Sequence, residues 1–343
     1  MFTELFAFFS TGTGNSYKVA KWAAEVAAQA RVHSRIQQIK TAMKWDFVPN
    51  IHHLLVVSYP THGFTAPWLM IKQVFRLPNG NGASAAVIPT RAGFRVRGIC
   101  FPGMEGTAGY LLALILALKG YKVRGVLGID MPSNWTALHW GINPENADFI
   151  ISAAEPKAKY FVKTVLAGQQ YFDGIVPLVI GLCLTPVSFM YLILAQLMLA
   201  KMFFASNKCV KCGACIRFCH KNAIRMNQGR PYWTYSCDSC MACMNYCPQQ
   251  AIEVSPVFAL AVYYITSVST STWLLNQLPT KLLTAQLVGV VQYAYVLVSV
   301  GIAYWLLHTL LRMKAFRWAL TKLSHTHYWR RYHAPDITLK DFE

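Results

Sequence analysis

The sequence predicts a doubly wound α/β domain with a mostly parallel sheet, joined to a small cysteine-rich α+β domain and to a helical hairpin in a membrane. Three observations predict it. Over roughly the first 170 residues short apolar runs alternate with amphipathic stretches; farther on, eight of the ten cysteines repeat one spacing; and hydrophobic residues make up 55% of the 343-residue chain against 13% charged. The last ratio is that of a chain with part of its length in lipid.

In the α/β part, residues 1–168, apolar strand patterns lie at 5–9, 34–39, 54–59, 85–89 and 123–129. Helical patterns fill the intervals at 16–30, 66–75, 106–118 and 144–165. Alternation of this kind belongs to parallel sheets with helices on both faces, and five strands suit the order 2-1-3-4-5.

Residues 172–205 form an apolar segment, of which 175–205 is too long for a single core helix and carries Pro177 and Pro186. About 20 residues span a bilayer. The expectation is an interfacial or re-entrant segment broken near Pro186; a pair of half-spans or one full crossing are the alternatives. The cysteine-rich domain, 206–254, comes next, then apolar runs at 257–275 and 282–311 with the turn Asn276-Gln277-Leu278-Pro279-Thr280-Lys281 between them. These read as a transmembrane hairpin over 257–311.

The tail, 312–343, is basic and aromatic, with Arg312, Lys314, Arg317, Lys322, Arg330 and Arg331 among Trp318, Tyr328 and Trp329. The positive-inside rule puts it, and with it the cysteines, on the cytoplasmic face of the inner membrane. An interfacial helix is the expected form of such a tail. The first twelve residues carry no export signal, so a reducing compartment is expected. Lys plus Arg number 32 against 14 acidic residues, a net charge of +18. That surplus suits anionic membrane lipid or an acidic partner protein; the basic residues are scattered and no nucleic-acid-binding motif accompanies them.

The cysteines carry the chemistry. Cys209, Cys212, Cys215 and Cys219 form one Cys-x-x-Cys-x-x-Cys-x-x-x-Cys run, and Cys237, Cys240, Cys243 and Cys247, followed by Pro248, form the second, 28 residues later. Ala223-Ile224 and Ala251-Ile252 keep the same offset, so the segment is an internal duplication. Cysteines at every third position wrap three thiolates around one cubane, and the fourth cysteine of each run ligates the other cluster. Two 4Fe-4S clusters are expected, on Cys209, Cys212, Cys215 and Cys247, and on Cys237, Cys240, Cys243 and Cys219. Zinc also uses Cys-x-x-Cys pairs, but rarely with three-plus-one spacing. The segment resembles the two-cluster bacterial ferredoxins over about 46 residues, with one departure: His220 stands where the first motif of that family usually has proline. Cys100 and Cys183 fall outside both runs and read as buried thiols.

Directly after the first strand comes Ser10-Thr11-Gly12-Thr13-Gly14-Asn15-Ser16, opening a helix. Hydroxyls and successive N–H groups at a helix N-terminus make an anion cradle. The third strand ends in Pro60, Thr61, His62, Gly63 and Phe64; the fourth in Thr90, Arg91, Ala92, Gly93 and Phe94; the fifth runs into Asn134 and Trp135. Ligands of open α/β sheets sit at such strand ends.

The loop looks like the phosphate loop of flavodoxins, and these loops followed by paired cysteine runs resemble ferredoxins with an N-terminal flavodoxin-like domain. That resemblance implies FMN held by Ser10 to Ser16, its ring met by the loops at 60–64 and 90–94, with Asn134 and Trp135 close by. Two departures stand out: Arg91, Arg95 and Arg97 make the proposed ring edge basic, and the membrane segments have no counterpart in the soluble members.

The function expected is a membrane-anchored relay of electrons between FMN, two clusters and a redox partner at the membrane. No side chain needs to act as acid, base or nucleophile. The alternative is a cluster-bearing subunit of a larger membrane complex, its flavodoxin-like domain empty. His308 is expected as an interfacial anchor rather than a quinone ligand, and His325, His327 and His333 have no ligand spacing.

Overall fold

The computed structural model describes residues 1–266, 273 and 285–342. Its first part runs β1 (Glu4–Phe9), α1 (Asn15–Gln29), β2 (His33–Gln38), β3 (His53–Pro60), α2 (Trp68–Arg76), β4 (Ser84–Val96), β5 (Ile99–Phe101), α3 (Ala108–Leu118), β6 (Lys122–Val126), β7 (Ile129–Pro132), α4 (Pro144–Leu166) and β8 (Tyr171–Phe172). The sheet order is β2-β1-β3-β4-β6-β8, parallel throughout. This is the flavodoxin-like order 2-1-3-4-5 with β8 added at the edge.

Successive side chains of a strand point to opposite faces, so β1 and β3 supply two cores at once. Leu5, Ala7, Leu54 and Val56 pack beneath α1 and α4, against Val19, Ala23, Phe161 and Val165. Phe6, Phe8, Leu55 and Val57 pack beneath α2 and α3, against Leu69, Met70, Leu112 and Leu116. Each such buried side chain is worth about 1.5–3 kcal/mol. Apolar on both faces, these strands read as continuous apolar runs. Helix α4 has a complete start: Asn143 accepts from the Asn146 N–H, Pro144 sits in the first turn, and Glu145 faces the positive end of the helix dipole.

Two expectations fail in this domain. Thr90, Arg91, Ala92, Gly93 and Phe94 are strand, not a strand-end loop, because β4 continues to Val96. Its second half pairs with β7 from Thr90↔Ile129 to Gly93↔Pro132 and with β5 at Phe94↔Phe101. The fifth strand, expected as one run, is the separate strands β6 and β7, so that β4 has two successive partners along one edge.

After β8 come α5 (Ile175–Cys183), α6 (Thr185–Leu197), a 3-10 turn at Leu199–Met202 and β9 (Phe203–Ala205). The helical path breaks at Leu184, leaving Pro186 in the first turn of α6, where a missing N–H costs little. One side of this segment is docked. Gly181 lies on the backbone of Gly106, Tyr191 covers Gly63, and the Gln196 side-chain amide donates to Asp238 at 3.3 Å. The other side exposes Ile175, Val176, Val179, Leu182, Phe189 and Met190.

The cysteine domain holds α7 (Ala214–Arg217), the hairpin of β10 (Ile224–Asn227) and β11 (Arg230–Trp233), α8 (Ala242–Asn245) and β12 (Ile252–Val254). β12 pairs antiparallel with β9, so Phe203–Ala205, expected at the end of the apolar segment, is a strand of this domain.

Next is α9 (Pro256–Thr266); the rest of the first expected hairpin arm, apart from Trp273, and the turn at 276–281 lie outside the described residues. The return arm is a helix, Ala285–Leu310. Among the described residues, Thr185–Met202 and Leu287–Leu310 are long and apolar enough to cross a membrane. The tail is more than an interfacial helix. After Lys314–Leu323 it wraps back, with Ser324 on Val254, Arg331 on Glu253 and Ala334 on Thr13. Cys100 and Cys183, expected as buried thiols, are exposed, on the short strand β5 and at the end of α5.

Candidate functional site

The two cysteine loops fold alike because their backbones repeat. Lys211 and Ser239, then Gly213 and Met241, are in the left-handed region at matching positions, φ 62° and 54°, then 72° and 64°. Such turns aim backbone N–H groups inward and make a nest for anionic sulfur. N–H groups reach the cysteine sulfurs: Ala223 to Cys219 Sγ and Ala251 to Cys247 Sγ at 3.3 Å, and Ser239 to Cys237 Sγ at 3.4 Å.

The eight thiols sort into two groups of four. Cys209, Cys212, Cys215 and Cys247 line one chamber; Cys219, Cys237, Cys240 and Cys243 line the other, with Cys215 and Cys247 at the shared wall. Burial pushes the Cys215 thiol up to about 12, with the charges of Cys209, Cys247 and Cys212 adding to it. Burial likewise takes Cys240 to about 12, and here the neighbour is Cys219. The fourth cysteine of each run therefore sits with the other run's first three. Among the described residues no three His, Cys, Asp or Glu side chains converge tightly enough to hold a single ion. A thiolate-rich set with N–H donors fits an iron–sulfur cluster. Iron would remove the protons that burial otherwise keeps on these thiols.

The housing contains residues that spacing alone did not reveal. Trp233 is fully buried, stacked on Phe203 at 5.6 Å, in one core with Cys237, Met241 and Met244. Lys201 is buried, donates to the Trp233 carbonyl and lies 4.1, 4.6 and 5.0 Å from the ring centres of Tyr235, Tyr304 and Tyr232. Its place at the end of an apolar run gives no local sign of these three rings, two of which lie in the cysteine domain and one in the Ala285–Leu310 helix. Lys221 and Asp238, each beside the cysteine runs, form a buried ion pair. His220 is buried, its carbonyl accepting from Thr41 N–H at 3.1 Å, and burial, helped by Lys221, lowers its pKa to about 3. His308 is buried in the protein, its ring 5.3 Å from that of Tyr232.

The glycine-rich loop lies against the second cysteine loop. A Cβ at Gly12 would collide with the Cys240 carbonyl oxygen, and one at Gly14 would meet Ala334, Ile337 and Tyr246 at 3.0 Å. Ser10, Thr11, Thr13, Asn15 and Ser16 are all buried. The side chains of Thr11, Thr13, Asn15 and Ser16 have internal partners. Thr11 Oγ1 accepts from Gly14 N–H, Asn134 donates to Thr13 Oγ1, Ser16 Oγ pairs with Thr90 Oγ1, and Asn15 donates to the Pro132 carbonyl and accepts from Tyr332 OH.

At the expected ring edge, Tyr191 covers His62 and Gly63, Phe64 abuts Gly106, and Trp135 meets Tyr191 edge-on at 5.8 Å and packs into the cysteine-domain core. Arg91 is tied to Asp130 and Glu105 at 2.9 and 2.7 Å. Pro60 pairs with Thr90 inside the sheet, Ala92 with Met131, and Phe94 packs edge-on against His139. Tyr191 therefore packs over the expected ring edge at His62 and Gly63, while the hydroxyls of Thr11, Thr13 and Ser16 are hydrogen-bonded within the chain.

A model of the 4Fe-4S dicluster domain family matches residues 206–252. No curated protein matches the chain. Among solved structures, a flavodoxin from Streptococcus pneumonia TIGR4 aligns with 46% of this chain and 95% of its own, at 14% identity and a TM-score of 0.30. The chain thus combines a region similar to 4Fe-4S dicluster domains with an α/β domain whose strand order is flavodoxin-like.

Proposed function

We propose that this protein is a membrane-bound electron carrier that holds two 4Fe-4S clusters with exchanged fourth ligands and moves electrons one at a time between a redox partner and a membrane component. The observation that carries this is the sorting of eight cysteines into two groups of four with a common wall. Sharing that wall keeps the two clusters close, which favours electron hopping between them. The flavodoxin-like domain then acts as a platform, since its loop closes on Cys240 and on the tail.

Membrane attachment draws support from the Ala285–Leu310 helix, which exposes Leu287, Val290, Tyr293, Val298, Ile302, Trp305 and Leu306. An apolar surface of that extent needs lipid or a membrane partner to cover it. Direct contact between Gly12 and Cys240 favours the α/β and cysteine domains on one side of the bilayer, the cytoplasmic side by the charge of the tail.

A second reading places FMN on Ser10 to Ser16. It is favoured by the hydroxyls of Ser58, Thr61 and Tyr246, buried around the loop without a hydrogen-bond partner among the described residues. The deciding experiment is iron, sulfide and flavin analysis of the detergent-purified chain. The primary reading expects about eight iron and eight sulfide with no flavin released on denaturation. Stoichiometric FMN would replace it with the second; zinc in place of iron would overturn both.

A further inference from the structure

The two cysteine loops differ in access. Cys212 is exposed, whereas Cys237 is buried and Cys240 lies under Gly12. Around Cys212 the surface is apolar in the middle: Val210 is 62% exposed, Met226 39%, and Pro248 is exposed beside them, all three lining the chamber of the first group. Its rim is basic. Lys208, Lys211 and Arg217 are exposed; Arg217 donates to the Cys212 carbonyl at 2.9 Å, and the Lys211 chain lies over the Gly229 turn of the β10–β11 hairpin. The cysteine domain has only two acidic residues, Asp238 and Glu253, and both are buried in ion pairs. Every exposed formal charge on it is positive.

We infer that this face is the docking surface for an acidic, one-electron carrier protein, which exchanges electrons with the chain through the iron held by Cys212. The inference rests on the two-cluster reading. An apolar centre with a charged rim is the anatomy of a protein interface, and a rim of one sign speeds encounter with a partner of the other. The step is a single outer-sphere transfer: the partner loses one electron, the Cys212 cluster gains it, and no bond forms or breaks.

The test is stopped-flow reduction of the full-length protein in detergent by a reduced acidic two-cluster ferredoxin at several salt concentrations. The unmodified chain should be reduced more slowly as salt rises. Lys208→Glu with Lys211→Glu should cut the second-order rate about tenfold and abolish or invert the salt dependence. The pair Lys208→Gln with Lys211→Gln should fall between, with iron content unchanged in both. Equal rates in all three proteins, with clusters intact, would overturn the docking surface and leave the two-cluster reading standing. Lack of iron and sulfide in the unmodified chain would overturn both. If the Glu pair instead loses binding to anionic phosphatidylserine vesicles while the ferredoxin rate holds, the face meets lipid and the inference fails.

Discussion

The first and second cysteine loops have the same ligand spacing and the same left-handed turns, yet one meets solvent and the other is walled in. Between the ligands the first carries Val210, Lys211 and Gly213; the second carries Asp238, Ser239 and Met241 at the corresponding positions. Those residues decide the outcome. Met241 accepts a left-handed backbone that Gly213 adopts freely, and in return it is buried in the core with Trp233. Duplication fixed the inner geometry, and divergence of the intervening side chains gave one loop to a partner and the other to the rest of the molecule.

That contrast can be broken from the buried side first. Trp233→Ala empties the wall behind the second group, and a loss of about 3–5 kcal/mol is expected. Thermal unfolding should show it, with iron falling toward half, whereas Met226→Ala at the exposed loop should leave both nearly unchanged. Next comes Gly12→Val, a change in the α/β domain. Its side chain meets backbone, not a flexible neighbour, so a cost of about 1–3 kcal/mol is expected. The signal of the second cluster should broaden while that of the first stays; an unaltered second signal would mean that the two domains are not joined there.

A smaller effect is expected of Lys201→Met, which keeps length and removes the charge that acts on Cys237 of the second group. A buried cation favours the reduced, more negative cluster, so its loss should move the second cluster to a more negative potential in a redox titration. The first cluster should not move. The least effect is chemical. Cys100 should react with a maleimide in the loaded protein while the eight ligands stay protected, and labelling should leave the cluster spectrum as it was.

Legibility followed the strength of local constraint. Strands β1 and β3, buried on both faces, are unmistakable as apolar runs, and the repeated cysteine spacing marks the region that the 4Fe-4S dicluster family model matches. The second half of β4 reads as a loop because pairing with β7 and β5 leaves Arg91, Phe94 and Val96 at least partly in solvent. Phe203–Ala205 was hidden for the opposite reason: three apolar residues ending an apolar run look the same whether protein or lipid covers them. The loop from Ser10 to Ser16 opens a helix, as its sequence indicates. What closes it, Cys240, Tyr246 and Ala334, is more than 200 residues away, and no local pattern announces a contact of that range.

The most direct test of two clusters with exchanged ligands is the electron paramagnetic resonance spectrum of the fully reduced protein, compared with that of Cys219→Ser. The unmodified chain should give a broad, spin-coupled signal of about two spins, the mark of neighbouring cubanes. Cys219→Ser should remove the coupling and alter the cluster held by Cys237, Cys240 and Cys243. A single uncoupled signal in the unmodified chain, or damage to the Cys209, Cys212 and Cys215 cluster in the variant, would contradict the account.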